Sequence, residues 1–496
     1  MITQSALRRF LCLFCLTATA LLSGCEVGPD FVRPAPPPVT RYTNGKPAEK
    51  TIAANGRAQT FQPGRQIPRN WWRTFHCRAL DQVVSEAILR SPNLQSALAR
   101  LQQSREDLMA GYGVFFPTVD ADFNATRQKF SPLKFGSSIP APLFDLYTLQ
   151  GTVSYTLDLF GAQRRQVEGL AAQVEYQKQT ARAAYLTLVG NVVNTAVAAA
   201  AYRAQIKATK QIVVFQQEQL QITQSQEQGG TVAYSNVLAI KTQLEATKAT
   251  LPPLQKSLSQ SQHLLTALVG RTPQQWRPPH FDLDDFTLPA DVPVALPSKL
   301  VRNRPDILAA QAQLHSAGAN IGVATAAMFP NITLDANFGQ NNTDISKLFA
   351  PVGNFWSLAG NAAAPIFHGG TLWFNRRAAI AAYKGALSDY RQAVTSGFQQ
   401  AADSLRALEL DANTLAAQTE SLDAATQNLE LVQSNYQAGL AGYLDVIVAD
   451  NQYQQAKIAH IQARALRLQD TSALFTALGG GPWTPPPRAP GKSAGN

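Results

Sequence analysis

Few residues of this sequence are of the kinds that form disulfides, metal sites or catalytic centres. The 496 residues include four cysteines, six histidines and three methionines. The histidines lack the short spacings of a metal site, and no nucleophile stands in a pattern with a general base. A glycine triplet at 479–481 closes a helical pattern instead of following a strand, so a phosphate-binding loop is not expected. The sequence therefore argues against an enzyme, and we expect neither a metal nor another cofactor.

Charged residues are also scarce. They make up only 15% of the chain, compared with about a quarter in a typical soluble domain. The formal net charge is +10, but lysine and arginine are scattered without a basic run, which argues against nucleic acid as a partner. After the N-terminal segment no stretch contains 18 uninterrupted apolar residues, so no membrane-spanning helix is predicted. Low charge is typical of a protein whose surface is covered by other chains or by lipid.

Proline is absent from two long tracts. None of the 30 prolines lies within 143–251 or within 366–481. Because proline costs about 3 kcal/mol inside a helix, these gaps predict two long helices, over about 161–228 and about 370–437. In the second tract, apolar residues recur every 3.5 positions, which is the period of a coiled coil. Helices of roughly 67 residues are about 100 Å long, which an ordinary globular domain does not need.

The N-terminus has the features of a secretory signal. Two arginines precede a short apolar run that ends in LSGC at Cys25. This ending resembles a bacterial lipobox, in which the cysteine becomes the first mature residue and carries a diacylglycerol and an N-acyl chain. We predict a signal peptide over 1–24, lipid attachment at Cys25 and a Pro-rich tether over 25–70. An ordinary signal with a chance cysteine is the alternative. A lipidated Cys25 would leave Cys77 without a disulfide partner.

Two stretches of the sequence nearly repeat each other. QGGTVAYSNVLAIK at 228–241 matches QAGLAGYLDVIVAD at 437–450 in pattern, 209 positions later. SPNLQ and RPDIL match at a similar offset before the two long helices. We predict a duplicated unit of about 210 residues. Its copies would lie at 71–285 and 286–481, followed by a Pro-rich tail at 482–496.

Each copy also contains two segments in which apolar and polar residues alternate, as in LQGTVSYTLDL. The segments predicted as strands are about 118–130, 146–159, 331–343 and 353–365. Alternation over about ten residues fits a membrane β-barrel, and equally a soluble hairpin with one wet face. Four strands cannot close a barrel, and an open edge cannot lie in lipid. A membrane location would therefore need several chains in one barrel, eight strands from two chains or twelve from three.

Taken together, the motifs resemble the TolC-like outer-membrane factors, specifically the lipoprotein (NodT-type) branch that serves resistance-nodulation-division (RND) efflux pumps. The motifs are LSGC, VGPDFVRP, NWWRTF, ILRSPNLQSALAR, LDLFG, TLPPL, RNRPDILAAQAQL and ALGGGPW, in family order over nearly the whole mature chain. The resemblance implies an α+β membrane protein. In it, a homotrimer shares a twelve-stranded transmembrane β-barrel, four strands per chain, and a long coiled-coil α-helical barrel projects into the periplasm.

The resemblance also implies a function and a location. Such a channel lies in the outer membrane, anchored by lipid, and passively conducts drugs or toxic small molecules. It receives them from an inner-membrane RND-type transporter through a periplasmic adaptor protein. The two glycine-containing stretches that follow the long helices become hairpin tips that contact the adaptor. Those contact residues would be Gly229, Gly230, Thr231, Gly439, Leu440 and Ala441.

A gate near the second tip is implied as well. By resemblance, Asp445 matches one gate aspartate of the family, and three copies would converge on the channel axis. Tyr443 would help to seal this gate. The chain departs from the family pattern at Val448, where relatives often carry a second acid, and at Asn451, where many carry an arginine. Asp450 is the nearest acid that could compensate. The alternative for Asp445 is a simple cap of the returning helix.

Three other functions are weaker. A lipid-anchored hydrolase would need a converging set of catalytic residues. A periplasmic adaptor would have one helical hairpin flanked by β-rich domains instead of two repeats with inserted strands. An outer-membrane duct for a type I protein secretion system stays within the family, but the lipobox and TLPPL favour the efflux branch.

Overall fold

A computed structural model of the chain describes residues 26–43, 48–54, 58–129 and 143–484. The strands are β1 (Thr60–Pro63), β2 (Thr118–Lys129), β3 (Leu143–Leu157), β4 (Asp291–Val294), β5 (Asn331–Asn342) and β6 (Asn354–Ala363). The helices are α1 (Arg78–Arg90), α2 (Pro92–Gly111), α3 (Ala162–Gln228), α4 (Tyr234–Ala249), α5 (Leu251–Leu268), α6 (Pro297–Asn303), α7 (Pro305–Ala326), α8 (Thr371–Gln437) and α9 (Tyr443–Ala477). The fold is thus a mixture of helices and sheet in which the two longest helices, α3 and α8, have 67 residues each.

The boundary between β3 and α3 differs from the predicted one for a local reason. The sequence pattern extended this strand to residue 159, but β3 ends at Leu157. The carboxylate of Asp158 accepts hydrogen bonds from the backbone N–H groups of Gln163 and Arg164, at 3.2 and 3.0 Å. These are orphan donors of the first helical turn, so Asp158 turns the chain into the helix.

The chain divides into two compact units. In the first, which takes in 102–176 and 310–390, β2, β3, β5 and β6 form an antiparallel sheet in that order. Apolar side chains exposed on this sheet are Val119, Phe123, Leu143, Val153, Leu334, Phe338, Trp356 and Leu358. Within the described residues, the outer edges of β2 and β6 have no strand partner. An unpaired edge can form hydrogen bonds with a further strand, and exposed apolar side chains mark a surface for contact with protein or lipid.

The second unit takes in 35–101, 177–309 and 391–496 and holds the main hydrophobic core. Its fully buried residues come from most elements of this unit, among them the segment before α1, α1, α3, α8 and the end of α9, and include Trp71, Phe75, Leu80, Val193 and Phe475. β1 pairs in parallel with β4, with Thr60 opposite Asp291. The segment predicted as a tether therefore also contributes a strand to this unit.

One helix of the described residues, α3, is long and apolar enough to cross a membrane by composition alone. Within its most apolar window, however, 67% of the residues are buried inside the protein. Ala196, Val197 and Ala200 are completely buried there. Small buried side chains let neighbouring elements approach closely, so this stretch packs as part of a protein core.

Candidate functional site

The first candidate tip is the turn between α3 and α4. Gly230 has a φ of 74°, a left-handed conformation that strains other residues by roughly 1–2 kcal/mol. Its N–H donates to the carbonyl of Glu227 at 2.8 Å, and the N–H of Thr231 donates to the carbonyl of Gln226 at 2.9 Å. This pair of bonds is a Schellman motif, which satisfies the last carbonyls of a helix and reverses the chain.

The second candidate tip, between α8 and α9, repeats this geometry. Gly439 again has a φ of 74°. Its N–H donates to Tyr436 at 3.0 Å, and the N–H of Leu440 donates to Asn435 at 2.8 Å. Leu440 is 79% exposed, which is unusual for so large an apolar side chain. The repeated sequence thus produces two equivalent turns, 209 residues apart, with Thr231, Leu440 and their neighbours on the surface.

Asp445 lies in the first turn of α9, and its side chain is exposed. One carboxylate oxygen accepts a hydrogen bond from the backbone N–H of Gly442 at 2.9 Å. This contact is half of a capping box and stabilises the start of the returning helix. The equivalent residue of the first copy, Asn236, makes no such contact at the start of α4. Asp445 therefore has a capping contact within one chain, and its charge remains accessible to solvent.

Tyr443 is buried next to the tip. Its ring packs edge-on against Tyr436, with 5.6 Å between the ring centroids. The hydroxyl of Tyr436 donates to the side-chain carbonyl of Gln226 at 2.8 Å, which links the ends of α8 and α3. Burial, and after it Tyr436 and Asp450, raises the pKa of Tyr443 above its usual range. Tyr443 thus stays neutral and packs against Tyr436, whose hydroxyl joins the second hairpin to the first.

Asp450, the acid suggested as a compensating gate residue, is buried within the chain. Its side chain is only 4% exposed and accepts hydrogen bonds from the amides of Gln216 and Gln454, both at 2.6 Å. Burial raises the pKa of Asp450, although the two amide donors oppose that shift. Asp450 therefore joins α9 to α3 inside one chain and does not present its carboxylate to solvent.

Asn451, one of the positions where the chain departs from the family pattern, also forms a contact within the chain. Its side-chain oxygen accepts a hydrogen bond from Gln243 on α4. One turn further along, Thr247 donates to Gln454 at 3.5 Å. These side-chain hydrogen bonds between α4 and α9 were not predicted from the sequence. A glutamine on a helix does not indicate which residue of a neighbouring helix it will contact.

The predicted lipid-attachment residue, Cys25, lies outside the described residues, but the segment that follows it is held firmly. Arg165, whose side chain is 4% exposed, forms ion pairs with Glu26 at 3.1 Å, Asp30 at 2.7 Å and Glu168 at 2.7 Å. The ring of Phe31 stacks on His315 at 4.1 Å between centroids. Glu26, Asp30 and Phe31 are therefore packed against the protein, and this segment is more than a loose tether.

Comparisons with known proteins agree with these features. The profile of a family described as outer membrane efflux protein matches residues 83–271 and 296–480. The toluene efflux pump outer membrane protein TtgC of Pseudomonas putida is 28% identical over 473 residues, or 95% of each chain. The pyoverdine export outer membrane protein OpmQ of Pseudomonas aeruginosa is 28% identical over 446 residues, or 88% of this chain and 93% of OpmQ. The solved structure of the outer-membrane channel OprN superposes with a TM-score of 0.83 at 25% identity, over 92% of this chain and 99% of OprN.

The two matched regions cover more than half of the chain and include α3, α8 and both tips. The relatives and the solved channel extend over nearly the same length as this chain. The sequence resemblance to outer-membrane efflux channels is thereby confirmed, and the chain belongs to the outer membrane efflux protein family.

Proposed function

We propose that this chain is the outer-membrane exit channel of a tripartite efflux pump. It conducts small toxic molecules passively, and an inner-membrane RND-type transporter supplies the energy. The observation that carries this proposal is the match of the family profile to both repeats, each of which inserts two strands and ends its long helix in a Schellman turn. Two relatives are named for cargoes as different as toluene and pyoverdine. In this proposal the transporter selects the cargo, and the channel conducts what it receives.

The active form is a homotrimer. One chain provides a four-stranded sheet with two open edges, at β2 and β6. In lipid an open edge leaves backbone groups unsatisfied, at a cost of several kcal/mol for each group. Three chains would join β6 of one copy to β2 of the next and close a twelve-stranded barrel. The mass of the detergent-solubilised particle tests this: we expect three chains, and a stable particle of one or two chains contradicts the proposal.

The tips are the docking end for a periplasmic adaptor protein. Each chain presents two equivalent turns, so a trimer presents six in near-sixfold arrangement. The exposed Leu440 offers an apolar contact at one of them. Leu440→Asp should reduce export of a fluorescent pump substrate from cells, because a charge would be desolvated on docking. Leu410→Asp, on the exposed face of α8, is the matched control and should leave export intact.

In the trimer, the three copies of Asp445 form a ring of carboxylates near the channel axis, in addition to their capping role. Asp445→Ala removes both the cap and the charge and should raise single-channel conductance in planar bilayers, because the start of α9 loosens. Asp445→Asn keeps a hydrogen-bond acceptor for Gly442 but removes the charge. It should leave conductance near the wild-type value and reduce the preference for cations over anions. Unchanged ion selectivity in both variants would exclude the ring.

Cys25 carries the lipid that anchors the channel to the outer membrane. Glu26 and Asp30 hold the neighbouring segment on Arg165, so the acyl chains would start from a fixed point on the protein. Cys25→Ser should abolish incorporation of a palmitate label. Labelling that persists in this variant would exclude Cys25 as the attachment site.

A further inference from the structure

The second compact unit contains a cavity that is separate from the two tips. This cavity of about 190 Å³ is lined by the loop after β1, by α3, by α6 and by the glycine-rich turn after α9. Its charged lining residues are Arg65, Arg182 and Lys299, and no carboxylate lines it among the described residues. A cavity with three cations and no acid has an electrostatic potential that attracts anions.

The turn after α9 is built to come close to Arg182. Gly479 and Gly480 have φ values of 88° and 63°, and a Cβ atom on Gly480 would overlap a methyl group of Leu186. One guanidinium nitrogen of Arg182, Nη2, donates to the carbonyl of Gly479 at 3.1 Å and reaches that of Gly481 at 3.5 Å. The two glycines therefore adopt a left-handed turn that would be strained with other residues, and this turn presents its carbonyls to Arg182.

Arg182 itself lacks a counter-charge. Its Nε atom is buried and has no acceptor within the described part of the chain. Burial lowers the pKa of Arg182, and no carboxylate offsets this effect. Two other arginines with a lowered pKa differ, because Asp282 partly offsets the lowering for Arg203 and Asp411 does so for Arg467. A half-buried guanidinium with an orphan donor and no acid nearby is expected to acquire an anion.

The other two cations stand at the rim. Lys299 is exposed and forms no ion pair within the described residues. Arg65 pairs with Asp291 at 3.6 Å, but both side chains are more than half exposed, so this pair is weak and open to competition. The rim thus adds positive charge that can move toward a ligand.

We propose that this cavity binds a small oxyanion of the phosphate type, with Arg182 as its central ligand and Lys299 and Arg65 at the rim. The anion supplies the acceptor that Arg182 lacks. It also joins α3, the loop after β1 and the closing turn of the chain. Guanidinium and ammonium groups both bind phosphate by charge-assisted hydrogen bonds.

Calorimetric titration of the full-length channel in detergent with inorganic phosphate tests the site. Potassium chloride keeps the ionic strength constant, so that general screening does not change. We expect saturable binding and a rise of the unfolding midpoint in the wild-type protein, because a ligand of the folded state stabilises it. Arg182→Met should abolish both effects. Absence of saturable binding in the wild type overturns the proposal.

Two further variants keep the test decisive. Arg203→Met is the matched control, since Arg203 is also partly buried and donates to a backbone carbonyl, that of Phe281. It should bind phosphate like the wild type, and an equal loss in this variant contradicts the site. Lys299→Met changes only an exposed side chain, so it should fold even if Arg182→Met does not. It should weaken binding about tenfold, and unchanged affinity in Lys299→Met overturns the proposed rim.

Discussion

The two adjacent glycines of the first tip should respond in opposite directions to the same substitution. Gly230 is in the left-handed region, with φ 74°, and nothing lies within 4 Å of a Cβ built there. Gly230→Ala therefore changes only the backbone energy and should destabilise the turn by about 1 kcal/mol. Gly229 is outside that region, and its added Cβ would meet only ordinary contacts at 3.5 Å. Gly229→Ala should stabilise the helix end by roughly 0.4–1 kcal/mol, because it reduces the freedom of the unfolded chain.

The second tip supports this reasoning. The residue equivalent to Gly229 there is Ala438, and the residue equivalent to Gly230 is Gly439. The backbone hydrogen bonds of the two turns nevertheless match. The first of the two positions thus accepts a methyl group in the same geometry, whereas the second carries glycine in both copies.

Hydrogen exchange measured by mass spectrometry is the assay. For peptides that cover 220–235 of the detergent-solubilised channel, a change of about 1 kcal/mol corresponds to a roughly fivefold change in exchange rate. We expect faster exchange in Gly230→Ala and slower exchange in Gly229→Ala. Equal effects of the two substitutions, or protection by Gly230→Ala, would refute the assignment of the turn.

Two further predictions concern charged groups. Burial and the neighbouring Asp411 raise the pKa of Asp470 to about 7, so the folded chain holds this proton more tightly than the unfolded chain, and stability falls as the pH rises from about 4 to 7. Asp470→Asn should make the unfolding midpoint less sensitive to pH in that range, and an unchanged pH dependence would contradict the argument. Arg165→Met removes the cation shared by three carboxylates. Because the side chain of Asp30 is 89% exposed and Glu168 also contacts His315 at 2.7 Å, the loss should be only about 1–2 kcal/mol, but residues 26–34 should become sensitive to protease. Arg406→Met is the control, because it removes only an exposed ion pair worth about 0.5 kcal/mol. Equal cleavage in both variants would show that the ion pairs of Arg165 do not hold residues 26–34 in place.

The positions of the long helices and of four strands could be predicted from residue patterns within single segments of the sequence. Proline-free tracts predicted long helices over about 161–228 and 370–437, and α3 and α8 extend over Ala162–Gln228 and Thr371–Gln437. Alternating residues indicated four strands, of which the weakest in pattern is β6. Helix length and strand alternation depend on propensity and periodicity within one segment, and such information is present in the chain before any contact forms.

What the pattern left out was pairing between distant segments. β1 and β4 form a parallel sheet although more than 200 residues separate them. A strand of four residues is too short for its alternation of apolar and polar residues to be detected in the sequence. Thr51, Ala54 and Gln59 also contact α9, because the fully buried Arg467 donates hydrogen bonds to all three. A Pro-rich composition suggested only an extended tether for this segment, because composition carries no information about the partner.

The sequence by itself determined the duplication, the two glycine turns and the family, because each depends on residue types at fixed positions along the chain. The tertiary structure alone decided that Asp450 is buried between amides, that Asp445 caps α9, and that Arg182 has no counter-charge. The direction that a helical side chain faces is set by which neighbours pack against the helix. A shift of one position turns a residue by about 100°, and only the packed helices specify that angle.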